Sequence, residues 1–386
     1  MRTYIKPLAI AGLLLSFSVI FSSSNSLKDA HPEVADTSSS RIQVAILLDV
    51  SGSMDGLIEQ AKAQLWNMVS VMGRAKCNNI SPRIEIALYE YGRTTNSVKD
   101  GYVKQISGFT SDLDQLSKYL FALNTNGGDE FCGHVMYTSL KDLAWDKSKD
   151  SYKVMFIAGN EDFLQGNISW TKACEEARKK GVIVNTIYCG DRMQGIKEHW
   201  NLNTECGSGS YTNINHGARI EDIPTPYDSV IFTLNTKLNN TYIAYGSLGE
   251  ESLNKQQEVD QLNYSMNKSV AAARVAVKGK KGLYKNTGWD LVDAYEADSS
   301  FISRVDMKTL PDKLKNLSPE QLKTYVVKTN AERSGIQKEI ERINTQREAF
   351  LVAEKTKRAS GQVATLESEI EKIIKVQAQR FKMVIE

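Results

Sequence analysis

One carboxylate and two hydroxyls stand at alternate positions in this 386-residue chain: Asp49, Ser51 and Ser53, with Gly52 letting the backbone turn between the serines. Hard oxygen donors at this spacing suit a divalent cation such as Mg²⁺, with Ca²⁺ or Mn²⁺ as alternatives. The residues ahead of them, Ile42 and Val44 to Leu48, form a near-continuous apolar run. That is the pattern of a strand buried on both faces of a parallel sheet. From Met54 to Arg74, apolar residues recur at helical spacing through Leu57, Ala61, Leu65, Met68, Val69 and Met72. The three oxygens therefore fall at the carboxyl end of a first strand and before a helix N-terminus, where open α/β sheets bind ligands.

Other groupings carry less chemistry. Cys132 and His134 are close enough to suggest a nucleophile and base, but a Cys/His pair at a helix start is more often structural. His31, His199 and His216 lack a ligand spacing such as H-E-x-x-H, and neither G-x-S-x-G nor a phosphate-binding G-x-x-x-x-G-K-[ST] loop occurs. Glu90 is expected on an exposed face at a strand end. No C-x-x-C is present, so neither a zinc knuckle nor a thioredoxin-type site is indicated. Catalysis is not expected.

The elements that must position Asp49 follow from periodicity. Strands are predicted over 84–91, 103–109, 152–158, 182–188 and 211–214. Helices are predicted over 111–123 with Ser111 as cap, then 133–145, 170–180, 196–202 and 227–245. Their alternation predicts a doubly wound, mostly parallel α/β sheet with helices on both faces.

The D-x-S-x-S string resembles the metal-ion-dependent adhesion site of von Willebrand factor type A domains, and the resemblance runs over roughly residues 40–245. In that family three loops supply the metal ligands. Asp49, Ser51 and Ser53 match the first loop without a gap. The second usually places a Thr after a Gly-Gly pair; here Gly127-Gly128 is followed by Asp129, with Thr125 as a nearby alternative. The third normally offers an Asp after a buried strand; here Ile157-Ala158-Gly159 leads to Asn160, with Glu161 as neighbour. The resemblance thus implies metal ligation by Asp49, Ser51, Ser53, Asp129 and Asn160. Two carboxylates are kept, but from loops one and two instead of one and three. The N-G-G-D-E and I-A-G-N-E strings are also similar to those of exported bacterial proteins carrying this domain. The resemblance implies a non-enzymatic interaction module whose ion is completed by a partner protein's acidic side chain. A direct Asp129 ligand would weaken that pull.

Residues 1–24 read as a secretory signal: Arg2 and Lys6, an apolar run from Leu8 to Phe21, then three serines. The run falls short of the ~20 residues of a spanning helix, so a periplasmic or extracellular location is expected, with membrane association only if the segment is uncleaved. Residues 25–40 read as a polar, Ser-rich lead. An oxidising compartment permits disulfides among the five cysteines, and closeness in sequence favours Cys189 with Cys206. Cys174 reads as a small buried apolar residue. A net charge of +2 gives no electrostatic reason for a nucleic-acid partner.

After the 41–246 domain, residues 247–317 have no assignable fold. Residues 318–386 read as long helices opened by a Ser318–Gln321 capping box with Pro319 at the first helical position. Arg347, Glu354 and Lys357 interrupt the apolar spacing, which favours a hairpin turning near Ser360-Gly361, or a helix docking on the first domain, over an unbroken coiled coil. This leaves two alternatives to metal-dependent adhesion. One is a scaffold whose helical half makes the contacts. The other is a hydrolase using the cation to activate water, disfavoured by the want of a placed general base.

Overall fold

Strand β1 (Arg41–Asp49) alternates between two cores. Ile42, Val44, Ile46 and Leu48 face one, while Ala45 and Leu47 face the other. A strand buried on both sides must lie inside a sheet covered by helices on each face, and the computed structural model shows that arrangement. It describes residues 40–385 apart from 78–79, 207–208, 216, 218–221 and 359–365. The expected signal (1–24), the lead up to residue 39 and the turn at Ser360-Gly361 lie outside the described residues.

After β1 come α1 (Asp55–Met72), β2 (Ala75–Cys77), β3 (Arg83–Tyr91), β4 (Lys104–Thr110), α2 (Leu113–Ala122), α3 (Cys132–Asp142), β5 (Tyr152–Gly159) and α4 (Trp170–Lys180). Then follow β6 (Ile183–Cys189), α5 (Arg192–Lys197), β7 (Tyr211–Ile214), α6 (Asp228–Asn239), α7 (Gly249–Met266) and α8 (Lys268–Lys278). The chain ends in α9 (Leu291–Ala297), α10 (Asp312–Lys315), α11 (Pro319–Arg358), α12 (Leu366–Ala378) and β8 (Met383–Ile385). The main sheet has the order β4-β3-β1-β5-β6-β7, parallel except for β4, which pairs antiparallel with β3 at one edge. Successive connections leave β1 on opposite sides, so the switch point lies between β1 and β5. Helices α3 and α4 cover one face; α1, α2 and α12 cover the other, with α6 and α8 contributing to the same core. Among the described residues no helix is long and apolar enough to cross a membrane.

Several boundaries moved for local reasons. The cap of α2 is Asp112, which accepts from Gln115 N at 2.9 Å, not Ser111. The helix expected over 196–202 is α5 at 192–197, started by Asp191 accepting from Met193 N and Gln194 N. Helix α6 stops at Asn239 because the chain beyond it bonds elsewhere: Ile243 N donates to Asp290 Oδ1 at 2.8 Å. Glu90 is buried, not exposed, and pairs with Arg93, Nε to Oε1 3.2 Å.

The disulfide joins Cys174 on α4 to Cys206, correcting the expected Cys189–Cys206 pair and the apolar reading of Cys174. Cys189 sits buried at the end of β6 as a free thiol. The bridge closes a 32-residue separation, and loop-closure entropy puts its contribution at about 3–4 kcal/mol. Replacing both Cys174 and Cys206 by Ala should lower the urea-unfolding free energy by about that much; an unchanged midpoint would show the link to be incidental.

The residues beyond 246 pack onto the α/β core through buried charge. Arg274 of α8 donates to Asp114 of α2 and Asp260 of α7, both at 2.6 Å, and stacks 4.5 Å from the Trp66 ring of α1. Arg333 of α11 reaches Asp290 at 2.6 Å and Asp293 at 2.8 Å, and donates to Thr241 O at 2.6 Å. Arg347, read in the sequence as a break in apolar spacing, is buried against Asp228 of α6 at 2.9 Å. At the start of α11, Ser318 N donates to Gln321 Oε1 at 2.9 Å and Gln321 N donates back to Ser318 Oγ at 3.2 Å. Helix α12 lies on α1, and β8 pairs with β2.

Candidate metal centre

The first loop leaves β1 at Asp49, a fully buried side chain. Ser51 N donates to Asp49 Oδ1 at 2.7 Å, and Val50 N to Tyr91 O at 2.9 Å, so the turn is fixed to the end of β3. Ser51 is buried and Ser53 exposed, their hydroxyl oxygens 3.4 Å apart. A buried oxygen and an outer one thus point towards the space above β1.

The third loop brings Asn160 to the same place. Its Nδ2 donates to Ser53 Oγ at 3.2 Å, and its Oδ1 lies 3.5 Å from that hydroxyl. The loop is pinned from behind: Trp200 Nε1 donates to Glu161 O at 2.7 Å, and Phe163 N to Glu198 O at 2.9 Å. Asp49, Ser51, Ser53 and Asn160 therefore converge at the carboxyl ends of β1 and β5, beside the switch point.

The second loop offers two adjacent carboxylates in different settings. Asp129 is exposed, whereas the next residue, Glu130, is 5% exposed and turned towards Asp49. The fold forces this turn through close backbone approach. Asn126 N donates to Val50 O and Thr94 N to Gly127 O, both at 2.9 Å. A Cβ on Gly128 would sit 2.5 Å from Gly92 O, so that glycine lets the second loop lie against the end of β3. Thr125 donates to Asp55 at the first turn of α1. In the sequence Glu130 stands only within the N-G-G-D-E string, and no local signal distinguishes the two adjacent carboxylates.

Two buried oxygens, Asp49 Oδ2 and Glu130 Oε2, have no hydrogen-bond partner. An orphaned buried carboxylate oxygen is costly; the two carboxyls lie close enough to hydrogen-bond through a shared proton, and a cation in place of that proton would satisfy both. The donor set suits a hard ion: two carboxylates, two hydroxyls and an amide oxygen. Among the described residues, no three of His, Cys, Asp and Glu gather into a group that could hold a metal ion, so a site here would rest on two carboxylates completed by hydroxyl and amide oxygens. Asp49, Ser51, Ser53, Asn160 and a second-loop carboxylate would hold the ion. When bound it would supply an electrophilic centre for a partner's oxygen.

Electrostatics agree. Burial, followed by the neighbouring Asp49 charge, pushes the Glu130 carboxyl up to about 9; burial likewise raises Asp49 to about 6 against the hydrogen bonds from Ser51. The metal-free pair therefore holds protons that the unfolded chain, with values near 3.8 and 4.5, has lost. The stabilisation from these protons is complete below those values and is lost as pH rises through about 6 and then about 9. A cation displaces the protons, so its affinity should climb between pH 6 and pH 9 with measurable proton release. Calorimetry in buffers of different ionisation enthalpy reads this directly; a flat profile would contradict it.

Cys132 and His134 form no nucleophile and base. The Cys132 Sγ is buried 3.8 Å from Tyr91 Oη, and burial raises its thiol well above the ordinary range. His134 stands against Gly101, where an added Cβ would meet its ring at 2.4 Å.

The six-stranded order, with D-x-S-x-S at the end of the central strand, defines a von Willebrand factor type A-like fold. No family profile and no curated protein matches the chain. Solved structures similar to it include a von Willebrand factor type A protein from Catenulispora acidiphila, 13% identical, TM-score 0.34, covering 46% of this chain and 39% of that one. Another is proximal thread matrix protein 1 from the mussel byssus with zinc in its adhesion motif, 12% identical, TM-score 0.33, covering 45% and 42%. A third is an aerotolerance-related membrane protein from Bacteroides fragilis, 14% identical, TM-score 0.32, covering 45% and 92%. The chain spans about two-fifths of the length of the first two. At this level of superposition the likeness carries no functional inference.

Proposed function

We propose that this chain is an exported, non-enzymatic interaction module. It binds a partner protein through a divalent cation held at Asp49, Ser51, Ser53 and Asn160, with a carboxylate from the Asp129-Glu130 loop. The observation that carries this reading is the buried, unpartnered Asp49 Oδ2 beside two serine hydroxyls at the β1/β5 switch point. Groups so placed have little structural purpose as a set, while a hard cation uses all of them.

A second reading is favoured by the buried ion pairs of Arg274, Arg333 and Arg347, which tie the region beyond 246 to the α/β core: a scaffold in which the ion only stiffens the loops. The test is retention of extracytoplasmic proteins on the immobilised chain in Mg²⁺, with EDTA elution and Asp49→Asn as control. The adhesion reading expects a partner that EDTA releases and Asp49→Asn does not retain. Retention indifferent to EDTA, with a loss of thermal stability alone, would instead support the scaffold.

A further inference from the structure

Of the two adjacent carboxylates in the second loop, the buried one bears on what the site can recognise. Glu130 is 5% exposed and its Oε2 is unpartnered, as is Oδ2 of the fully buried Asp49. Gly92, with φ +82°, closes over both: a Cβ there would stand 2.9 Å from Glu130 Cγ and 3.0 Å from Asp49 Oδ1. The end of β3 therefore needs a residue without a side chain, and the two carboxyls are held side by side under it. Exposed Asp129 has no such enclosure.

We propose that Glu130 is the second carboxylate of the metal centre, and that the resulting charge balance selects a partner offering a neutral oxygen, a carbonyl or hydroxyl, in place of an acidic side chain. This rests on the metal-holding reading above and specifies its ligand chemistry. Two buried carboxylates cancel the charge of a divalent ion, so its net pull on an incoming anion is small. Glu161, exposed beside Asn160, adds a negative charge at the rim that acts on both Asp49 and Glu130. Arg93, next to Gly92 in the chain, is engaged by Glu90 and by the side chain and carbonyl of Asn124. An incoming carboxylate would meet a neutralised ion and a like charge; a neutral donor meets neither cost.

The experiment uses the full chain and Mn²⁺ alone, with binding followed by water-proton relaxation. Glu130→Gln should weaken Mn²⁺ binding at least about tenfold, since even partners one shell out from a metal cost about 10–100-fold when removed; Asp129→Asn should weaken it by less than Glu130→Gln does. Acetate and acetamide are then added to the loaded proteins. The native protein should show no preference for acetate, whereas Glu130→Thr, with a hydroxyl in place of the charge, should favour acetate over acetamide. If Glu130→Thr fails to fold by near-UV circular dichroism, the isosteric Glu130→Gln carries the same comparison. Mn²⁺ affinity that falls with Asp129→Asn and not with Glu130→Gln overturns the assignment, and a native preference for acetate overturns the neutral-donor claim. Absence of any Mn²⁺ binding to the native chain would overturn the proposed function as well, so the two failures are told apart.

Discussion

Truncation after Arg358 should yield a chain that no longer unfolds cooperatively. The deleted part carries α12, whose Leu366, Ile370, Ile373 and Ile374 are buried in the same core as β1 and α1. Burying such side chains contributes about 1.5–3 kcal/mol each, so the four together contribute about 6–12 kcal/mol. A typical domain has only about 5–15 kcal/mol of net stability. Polar links go as well: Gln377 accepts from Tyr152 Oη at 3.0 Å and exchanges hydrogen bonds with Asn185, while Glu369 accepts from Thr212 Oγ1 at 2.7 Å. Strand β2 also loses β8, its partner. The α/β domain is thus covered on one face by the far end of the chain. Urea unfolding followed by far-UV circular dichroism checks this, and a truncated chain with the full-length midpoint would refute it.

Arg274→Met should cost about 3–5 kcal/mol, because it strands buried carboxylates whose partner has gone. Asp114 is 3% exposed; it accepts from Arg274 Nη1, and its other oxygen accepts from Tyr284 Oη. Asp260 is cushioned, since Lys278 donates to both its oxygens at 3.0 and 2.8 Å and Asn239 donates at 2.7 Å. The loss should therefore fall mainly on Asp114, and the double variant Arg274→Met, Asp114→Leu should recover much of it. That recovery separates an uncompensated charge from a mere loss of packing over Trp66. Additive losses in the double variant would show the pair to be uncoupled.

The parts of the fold that could be read in the sequence are those whose residues carry their own pattern. Strand β1 is apolar on both faces because it lies at the centre of the sheet, and Asp49 ends that run abruptly. The hydroxyl pair and Asn160 follow strands that could be placed by the same pattern. What could not be read depends on contacts between distant segments. Whether Asp129 or Glu130 turns inward is decided by Gly128 lying against Gly92, far away in sequence. The choice of Cys174 for Cys206 is decided by where α4 lies against the turn before β7. Residues 247–317 were hard to assign because buried or half-buried Gln256, Asp260, Asn263, Arg274 and Lys278 share the docking faces of α7 and α8 with Val259, Val270, Val275 and Val277, and blur the apolar periodicity that would have marked a core. Arg347 misled for the same reason: a charge that breaks an apolar spacing reads as a solvated face, yet Asp228 makes it a buried contact.

The central claim is that β1 ends in a cation site. The most direct test is calorimetric titration of Mg²⁺ into the full chain stripped with EDTA, alongside Asp49→Asn. One site per chain that disappears in Asp49→Asn, with the variant's fold intact by near-UV circular dichroism, is the predicted result. No binding to the native chain, or equal binding by Asp49→Asn, would contradict it.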